Sequence, residues 1–288
     1  MEIIKAEYGG VDCTDIIQSK IKGNRVALRV DNSIIGDTNV GVIKHLEVLL
    51  EFEGKVYTES VVEGGTFVYP KSTHNRLGIW YSNDQTNHPA VIKSLETIQK
   101  AAENKADIIT CVWNRVQSNP FTEIISWNKS SSHLNQMLQI LQCIHTANTM
   151  GNYDYVSFLE HDVMYGEGYF DYPDFERGAV WTNMNYGGIN RDGWQERGQN
   201  DEPMHQMTMR IDDAIEHFNK ILPNALVTNS GMIETQTMER KQWNAVNQSI
   251  HINHGAHFTS HFNIYKKDNL SLEHSYWEKH EDYLHLFN

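Results

Sequence analysis

The stretch that most constrains this chain is Tyr153–Tyr165, YDYVSFLEHDVMY, where an apolar run ends abruptly in charge. Val156, Phe158 and Leu159 read as a strand buried in a sheet. Glu160, His161 and Asp162 follow at once, and Gly166 and Gly168 then turn the chain. Unpaired charge is expensive to bury, so packing does not explain two carboxylates at the end of such a strand. The strand's carboxyl end is therefore expected to open into a cleft and to face something positive. Residues two apart in an extended chain point to the same side, which groups Glu160 with Asp162. Two carboxylates so placed are half of a site for a hard divalent cation, Mg²⁺ or Mn²⁺.

The residues around this stretch alternate between strand and helix patterns. Leu77–Tyr81 reads as a strand ending at Ser82, Asn83 and Asp84. Pro89 suits a first helical turn, and Val91, Leu95, Ile98 and Ala102 follow at helical spacing. Asp107–Trp113 and Ile124–Trp127 read as further strands. Ser130, Ser131 and Ser132 offer helix caps ahead of an apolar stripe of Leu134, Met137, Leu138, Leu141 and Ile144. Such alternation predicts a mainly parallel sheet wrapped by helices, with ligands beyond the carboxyl ends of the strands. Asp84, Asn114 and the Glu160–Asp162 pair all fall at such ends. Further on, the pattern predicts a strand over Ala179–Tyr186 running into Gly187 and Gly188, and a polar loop over 189–203. A helix over Ile211–Leu222 is expected to stop near Pro223, followed by a short strand over Ala225–Thr228 and a helix over Thr237–Val246. Ser249–Tyr265 carries His251, His254, His257 and His261.

Residues 1–72 have a different grammar. Arg25–Val30, Leu46–Phe52 and Val56–Val62 read as short strands between turn signals, with a hairpin around Glu53-Gly54. They predict a small antiparallel β-sandwich as an accessory domain, leaving 73–288 as the catalytic one. The pieces YGG-VDCTDII, GDTNVGVIKHLEV and VVEGG resemble small β-domains attached to J-domain proteins and to some viral proteins. That likeness implies a folding or docking accessory.

Composition narrows the function classes. A formal net charge of −13 argues against non-specific binding to nucleic acid or an anionic membrane. No apolar run is long enough to span a bilayer, and no signal-peptide pattern opens the chain, so no membrane insertion is expected. The three cysteines, Cys13, Cys111 and Cys143, are far apart and read as buried thiols, which implies a reducing, cytoplasmic location.

Glu160-His161-Asp162, placed after two strand–helix units, resembles the GT-A class of nucleotide-sugar-dependent glycosyltransferases over about residues 76–265. The resemblance implies a Rossmann-like mixed sheet flanked by helices and preceded here by the β-sandwich. It also implies an Asp-x-Asp-type motif that holds Mn²⁺ or Mg²⁺ on the diphosphate of the donor; this chain has Glu in place of the first Asp. Metal sites of this class add a late histidine, for which His257 and then His261 are the candidates. A general base for an inverting member would lie beyond the metal motif, where Asp201 and Glu202 stand. Tyr81, Ser82 and Asp84 would meet the nucleobase and ribose. Gly187 and Gly188 would let backbone approach the sugar, and Trp194 would wall it. The implied partners are a nucleoside-diphosphate sugar and a hydroxyl acceptor: a glycan, a protein, or a hydroxylated base in phage-type, viral DNA. The last would need Lys93, Lys100, Lys105, Arg115 and Lys129 to share a face. Two other readings stay open. One is a His/carboxylate metal hydrolase built on His251–His261. The other is a non-catalytic carbohydrate- or partner-binding protein on a transferase-like scaffold.

Overall fold

A computed structural model describes residues 1–82, 88–116, 119–127, 129, 132–196, 203–228, 238–252 and 274–287. The chain divides into two compact units. One comprises Met1–Thr73 with His145–Asn152, the other His74–Ile144 with Tyr153–Asn288.

The smaller unit contains β1 (Glu2–Tyr8), β2 (Val11–Asp12), α1 (Thr14–Ser19), β3 (Val26–Arg29), β4 (His45–Phe52), β5 (Lys55–Val62) and β6 (Thr66–Tyr69). Strands β2-β1-β4-β5 form an antiparallel sheet, and β3 pairs antiparallel with β6. The hairpin between β4 and β5 turns at Glu53 and Gly54, both with positive φ, the geometry whose twist matches the flanking strands. Alternation does the rest. Leu46, Val48 and Leu50 of β4 face inward with Ile3, Ala6 and Tyr8, and they pack against Ile17, Val26, Phe67 and Tyr69. Beside this core the Lys44 ammonium is buried between Asp37, 2.9 Å away, and Glu63, 3.3 Å away.

Among the described residues, the larger unit holds two sheets. Its elements are β7 (Arg76–Tyr81), α2 (Pro89–Ala102), β8 (Asp107–Val112), β9 (Thr122–Ile125), α3 (His133–Met150, counted with the smaller unit from His145 on), β10 (Tyr155–Glu160), β11 (Val163–Met164), β12 (Ala179–Asn183), β13 (Tyr186–Asn190), β14 (Gly193–Glu196), β15 (Met207–Arg210), α4 (Ile211–Thr228), β16 (Glu239–Trp243) and β17 (Ser249–Ile252). The main sheet has seven strands in the order β16-β12-β15-β10-β7-β8-β9. Strands β9, β8, β7 and β10 run parallel. β15 runs against both its neighbours, β10 and β12, and β16 is parallel to β12. The order reverses at β7: β8 and β9 extend the sheet on one side of it, and β10 on the other. The second sheet, β11-β17-β13-β14, is smaller.

Strand alternation sorts the two faces of the main sheet. Trp80, Ile108, Val112 and Leu159 pack with Val91, Leu95 and Ile98 of α2 and with the aromatic run Tyr165, Tyr169, Phe170, Tyr172 and Phe175. On the opposite face Phe158 meets Phe218 of α4 edge to face at 5.7 Å. Helix α2 begins as predicted, with Pro89 at its first position and His88 Nδ1 accepting from the Ala90 N–H at 3.2 Å.

Three expectations are corrected. Residues 239–243 are strand β16 rather than helix; among the described residues it pairs only with β12, and of its own residues it buries only Trp243, so its sequence carries no strand periodicity. Helix α4 runs through Pro223 to Thr228 and absorbs the strand expected at 225–228. Ile211, Ala214, Phe218 and Ala225 are buried on both sides of the proline, and tertiary burial overrides its local cost. The loop expected over 189–203 instead contains the antiparallel β13–β14 pair.

Candidate active site

Strand order reverses between β7 and β10, and α/β sheets place their ligands beyond the carboxyl ends of the strands at such a point. Register puts Tyr81 directly opposite Glu160 at those ends. Their side chains meet: the Tyr81 hydroxyl donates to Glu160 Oε1 at 3.0 Å. Burial, and then the Glu160 charge, push the Tyr81 phenol well above its ordinary value, so it stays a neutral donor. Beneath them, Trp80 Nε1 donates to Ser94 Oγ at 3.2 Å, and Ser94 Oγ donates to the Glu160 carbonyl at 3.2 Å, which ties the strand end to α2.

The second Glu160 oxygen meets a residue far along the chain. Because β15 is antiparallel to β10, the residues before it reach the edge that the parallel strands reach at their ends. The register is set by Ser157 opposite Thr208, whose hydroxyls share a buried hydrogen bond of 2.8 Å. A 3-10 turn, Met204–Gln206, leads into β15 and delivers His205, which is 3% exposed. Its Nδ1 lies 3.3 Å from Glu160 Oε2. Burial drives the Glu160 carboxyl up, but its interaction with His205, the hydrogen bond foremost, outweighs it, and the group sits below its ordinary value. One hydroxyl joins the two main chains: Tyr165 Oη accepts from the Glu160 N–H at 3.0 Å and donates to the His205 carbonyl at 3.2 Å.

Asp162 is placed differently. β10 stops at Glu160, and residues 161–162 turn toward the second sheet, so the two acids do not continue side by side along one strand. Asp162 is 4% exposed, and its Oδ2 lies 3.2 Å from His251 Nε2 on β17. The Ile252 N–H donates to the Asp162 carbonyl at 2.7 Å. The rings of His205 and His251 lie 5.5 Å apart. The cluster is thus two carboxylate–imidazole pairs side by side.

In kind, the two carboxylates suit Mn²⁺ or Mg²⁺, whereas imidazoles suit softer ions such as Zn²⁺. In geometry, among the described residues, no three His, Cys, Asp or Glu side chains converge as a metal site. Both Glu160 oxygens are taken by Tyr81 and His205. Asp162 is then a partial ligand set, not a complete one.

The other predicted residues fall in several places. Asp84, Asp201, Glu202, His254, His257 and His261 lie outside the described residues. Ser82 is buried beside Tyr81, and its carbonyl accepts from Gln139 Nε2 at 2.9 Å. Gly187 and Gly188 lie within β13; a Cβ on Gly187 would stand 2.8 Å from the Gln195 carbonyl oxygen, so the close approach there is between strands. Trp194 is 4% exposed and packs between His274, at 4.9 Å, and Tyr283, at 5.4 Å, in the core of the second sheet. Lys93 and Lys105 each sit beside an acid, Glu96 and Asp171. Among the described residues no helix is long and apolar enough to cross a membrane. Sequence reasoning missed His205 and Tyr165 as members of the site and took His251 only as one of a late cluster.

The fold is a mixed α/β sheet of seven strands flanked by helices, with a polar cluster at its switch point. No protein-family model matches the chain, and no curated protein matches it. Among solved structures it is similar to the crystal structure of a glycosyltransferase involved in the glycosylation of the major capsid of PBCV-1. That likeness has 8% identity and a TM-score of 0.36, and it covers 61% of this chain and 92% of the other. The comparisons lend no support to the resemblance drawn for residues 1–72.

Proposed function

We propose that the larger unit is a glycosyltransferase that moves a sugar from a nucleoside-diphosphate sugar to a hydroxyl acceptor. The observation that carries this reading is the register of Tyr81 against Glu160 at the point where strand order reverses, with Asp162 two residues on. Switch points of α/β sheets accept ligands beyond the strand ends. Tyr81 and Ser82 would lie toward the nucleobase and ribose. The acids and imidazoles beyond β10 would lie toward the sugar, where polar groups must both hold hydroxyls and manage a proton. Breaking the bond between sugar and diphosphate puts negative charge on the leaving oxygen. In this reading Asp162, with His257 or His261, would hold Mn²⁺ or Mg²⁺, which would supply Lewis-acid stabilisation of that charge.

The test is a thermal-shift screen of nucleoside diphosphates and nucleotide sugars, each with and without Mn²⁺. A ligand at 100 times its Kd stabilises the native state by about 2.7 kcal/mol. A shift that needs one nucleotide identifies the donor's base, and a further dependence on Mn²⁺ that Asp162→Asn removes identifies the metal's carboxylate. Absence of a shift with every nucleotide, with or without metal, would refute the transferase reading.

A further inference from the structure

We propose that His205, oriented by Glu160, is the base that takes the proton from the acceptor hydroxyl, so that transfer inverts the anomeric centre. This rests on the transferase reading above and adds to it the identity of the proton acceptor and the stereochemistry.

Geometry favours this imidazole over the other titratable groups nearby. Glu160 Oε2 lies 3.3 Å from His205 Nδ1, and a carboxylate can only accept there, so Nδ1 carries the proton and Nε2 presents its lone pair. The backbone is held as firmly as the ring: the His205 carbonyl accepts from Tyr165 Oη at 3.2 Å and from Tyr169 Oη at 3.4 Å. Glu160 is itself pinned, with the Tyr81 hydroxyl on Oε1 and its N–H on Tyr165 Oη. Against all this fixing, His205 Nε2 is buried and has no hydrogen-bond partner among the described residues. Leaving a buried nitrogen without a partner costs stability, and packing alone gives no reason to orient it so thoroughly. A fixed imidazole with one nitrogen on a carboxylate and the other uncommitted is the arrangement that makes a base. The neighbouring His251 differs, because its Nε2 is engaged by Asp162 Oδ2. The arrangement also gives a purpose to Glu at the first acidic position: its carboxylate is spent on Tyr81 and His205, one oxygen each.

The step balances without an added reactant. The acceptor O–H bond breaks and its proton passes to His205 Nε2. The oxygen's electron pair forms the bond to the anomeric carbon, and the bond from that carbon to the diphosphate breaks, its electrons leaving with the diphosphate. The imidazolium that results is stabilised by Glu160. Attack from the face opposite the leaving group inverts the centre.

The test uses the full chain with water as acceptor, following release of nucleoside diphosphate from UDP-, GDP- and dTDP-hexoses. His205→Asn keeps an amide N–H where Nδ1 stood and removes Nε2. It should lower turnover by about 100-fold or more while donor affinity stays unchanged. His205→Ala should regain turnover when free imidazole is added, a rescue that a purely structural role would not allow. The released sugar, read by proton NMR before mutarotation, should have the anomeric configuration opposite to the donor's. That last measurement needs only the unaltered protein and stands even if the variants fold poorly. Retained configuration overturns the proposal, as does His205→Asn with ordinary turnover, or a loss confined to Glu202→Gln. In those cases the transferase reading survives. If the unaltered chain binds and cleaves no nucleotide sugar, both fall.

Discussion

Gly78 offers a sharp test of how the sheet supports the site. It lies on β7, three residues before Tyr81, on the face covered by the aromatic run. A Cβ there would stand 2.5 Å from Ile108 Cδ1, 2.8 Å from Leu159 Cδ1 and 3.3 Å from Phe170 Cζ. Favourable carbon–carbon contact needs roughly 3.5–4.0 Å, so the first two overlap severely. Ile108, Leu159 and Phe170 are all buried, which leaves their ends little room to swing. Overpacking of this kind costs about 1–3 kcal/mol. Alanine recovers about 0.5–1 kcal/mol of backbone entropy relative to glycine in a strand, so the net loss for Gly78→Ala spans about 0–2.5 kcal/mol and centres on about 1 kcal/mol. For a unit of this size a loss of about 1 kcal/mol lowers Tm by about 2–4 °C. Ile108→Val removes the nearest clashing carbon at an intrinsic cost of about 0.5–1.5 kcal/mol. The double variant should therefore be more stable than the sum of the singles by at least about 0.5 kcal/mol. All seven tryptophans lie outside residues 1–73 and 145–152, so tryptophan fluorescence in urea reports the larger unit alone. An unchanged midpoint for Gly78→Ala, or strict additivity in the double variant, would refute the packing argument.

Other perturbations read different parts of the molecule. Tyr165→Phe removes the hydroxyl that joins Glu160 to His205 and strands a main-chain N–H; it should cost about 1–3 kcal/mol in urea unfolding, and an unchanged midpoint would mean the bridge is idle. In the smaller unit, hydrogen bonds from the Lys44 ammonium to Asp37 and from the Lys44 N–H to Glu63 hold both carboxyls below their ordinary values. Depressed carboxyls stabilise above their unfolded pKa and lose that contribution as pH falls through the folded one, so this unit should weaken below about pH 4. Lys44→Met should flatten that part of the acid transition in circular dichroism, and an unaltered slope would count against the pairing. Cys13, Cys111 and Cys143 are buried, with burial pushing Cys13 up to about 11 and Cys143 well up. Native protein should leave Ellman's reagent uncoloured on the scale of minutes and release three equivalents in denaturant; a fast native equivalent would show an open thiol.

The legible parts of this chain were those where burial writes a pattern. β7, β8 and β10 are continuous apolar runs because both their faces are covered, and α2 shows its stripe because only one side is. β16 was unreadable for the opposite reason: it buries a single tryptophan, so charged residues fill it at no cost. α4 hid behind Pro223, a local signal that its buried stripe overrules. At the site, Glu160 and Asp162 were visible because charge interrupts an apolar run. His205 was not, since a short turn before a four-residue strand has no periodicity to mark it. The one available signal was a histidine directly ahead of Met207-Thr208-Met209, and only the reversed direction of β15 gives that position meaning.

That reversal bears on how such a site can vary between related chains. At the parallel strands, Tyr81 and Glu160 close the strands they stand on, so a change in the length of the following segment falls beyond them. At β15 the order is inverted: His205 comes last, anchored to the strand it precedes. Insertions or deletions between β14 and residue 203 would then leave every strand of the main sheet, and the anchoring of His205 to β15, in place. A recognisable signature would be an acidic residue closing one strand and a histidine opening another, at no constant separation. Alignments that penalise gaps between the two would overlook it.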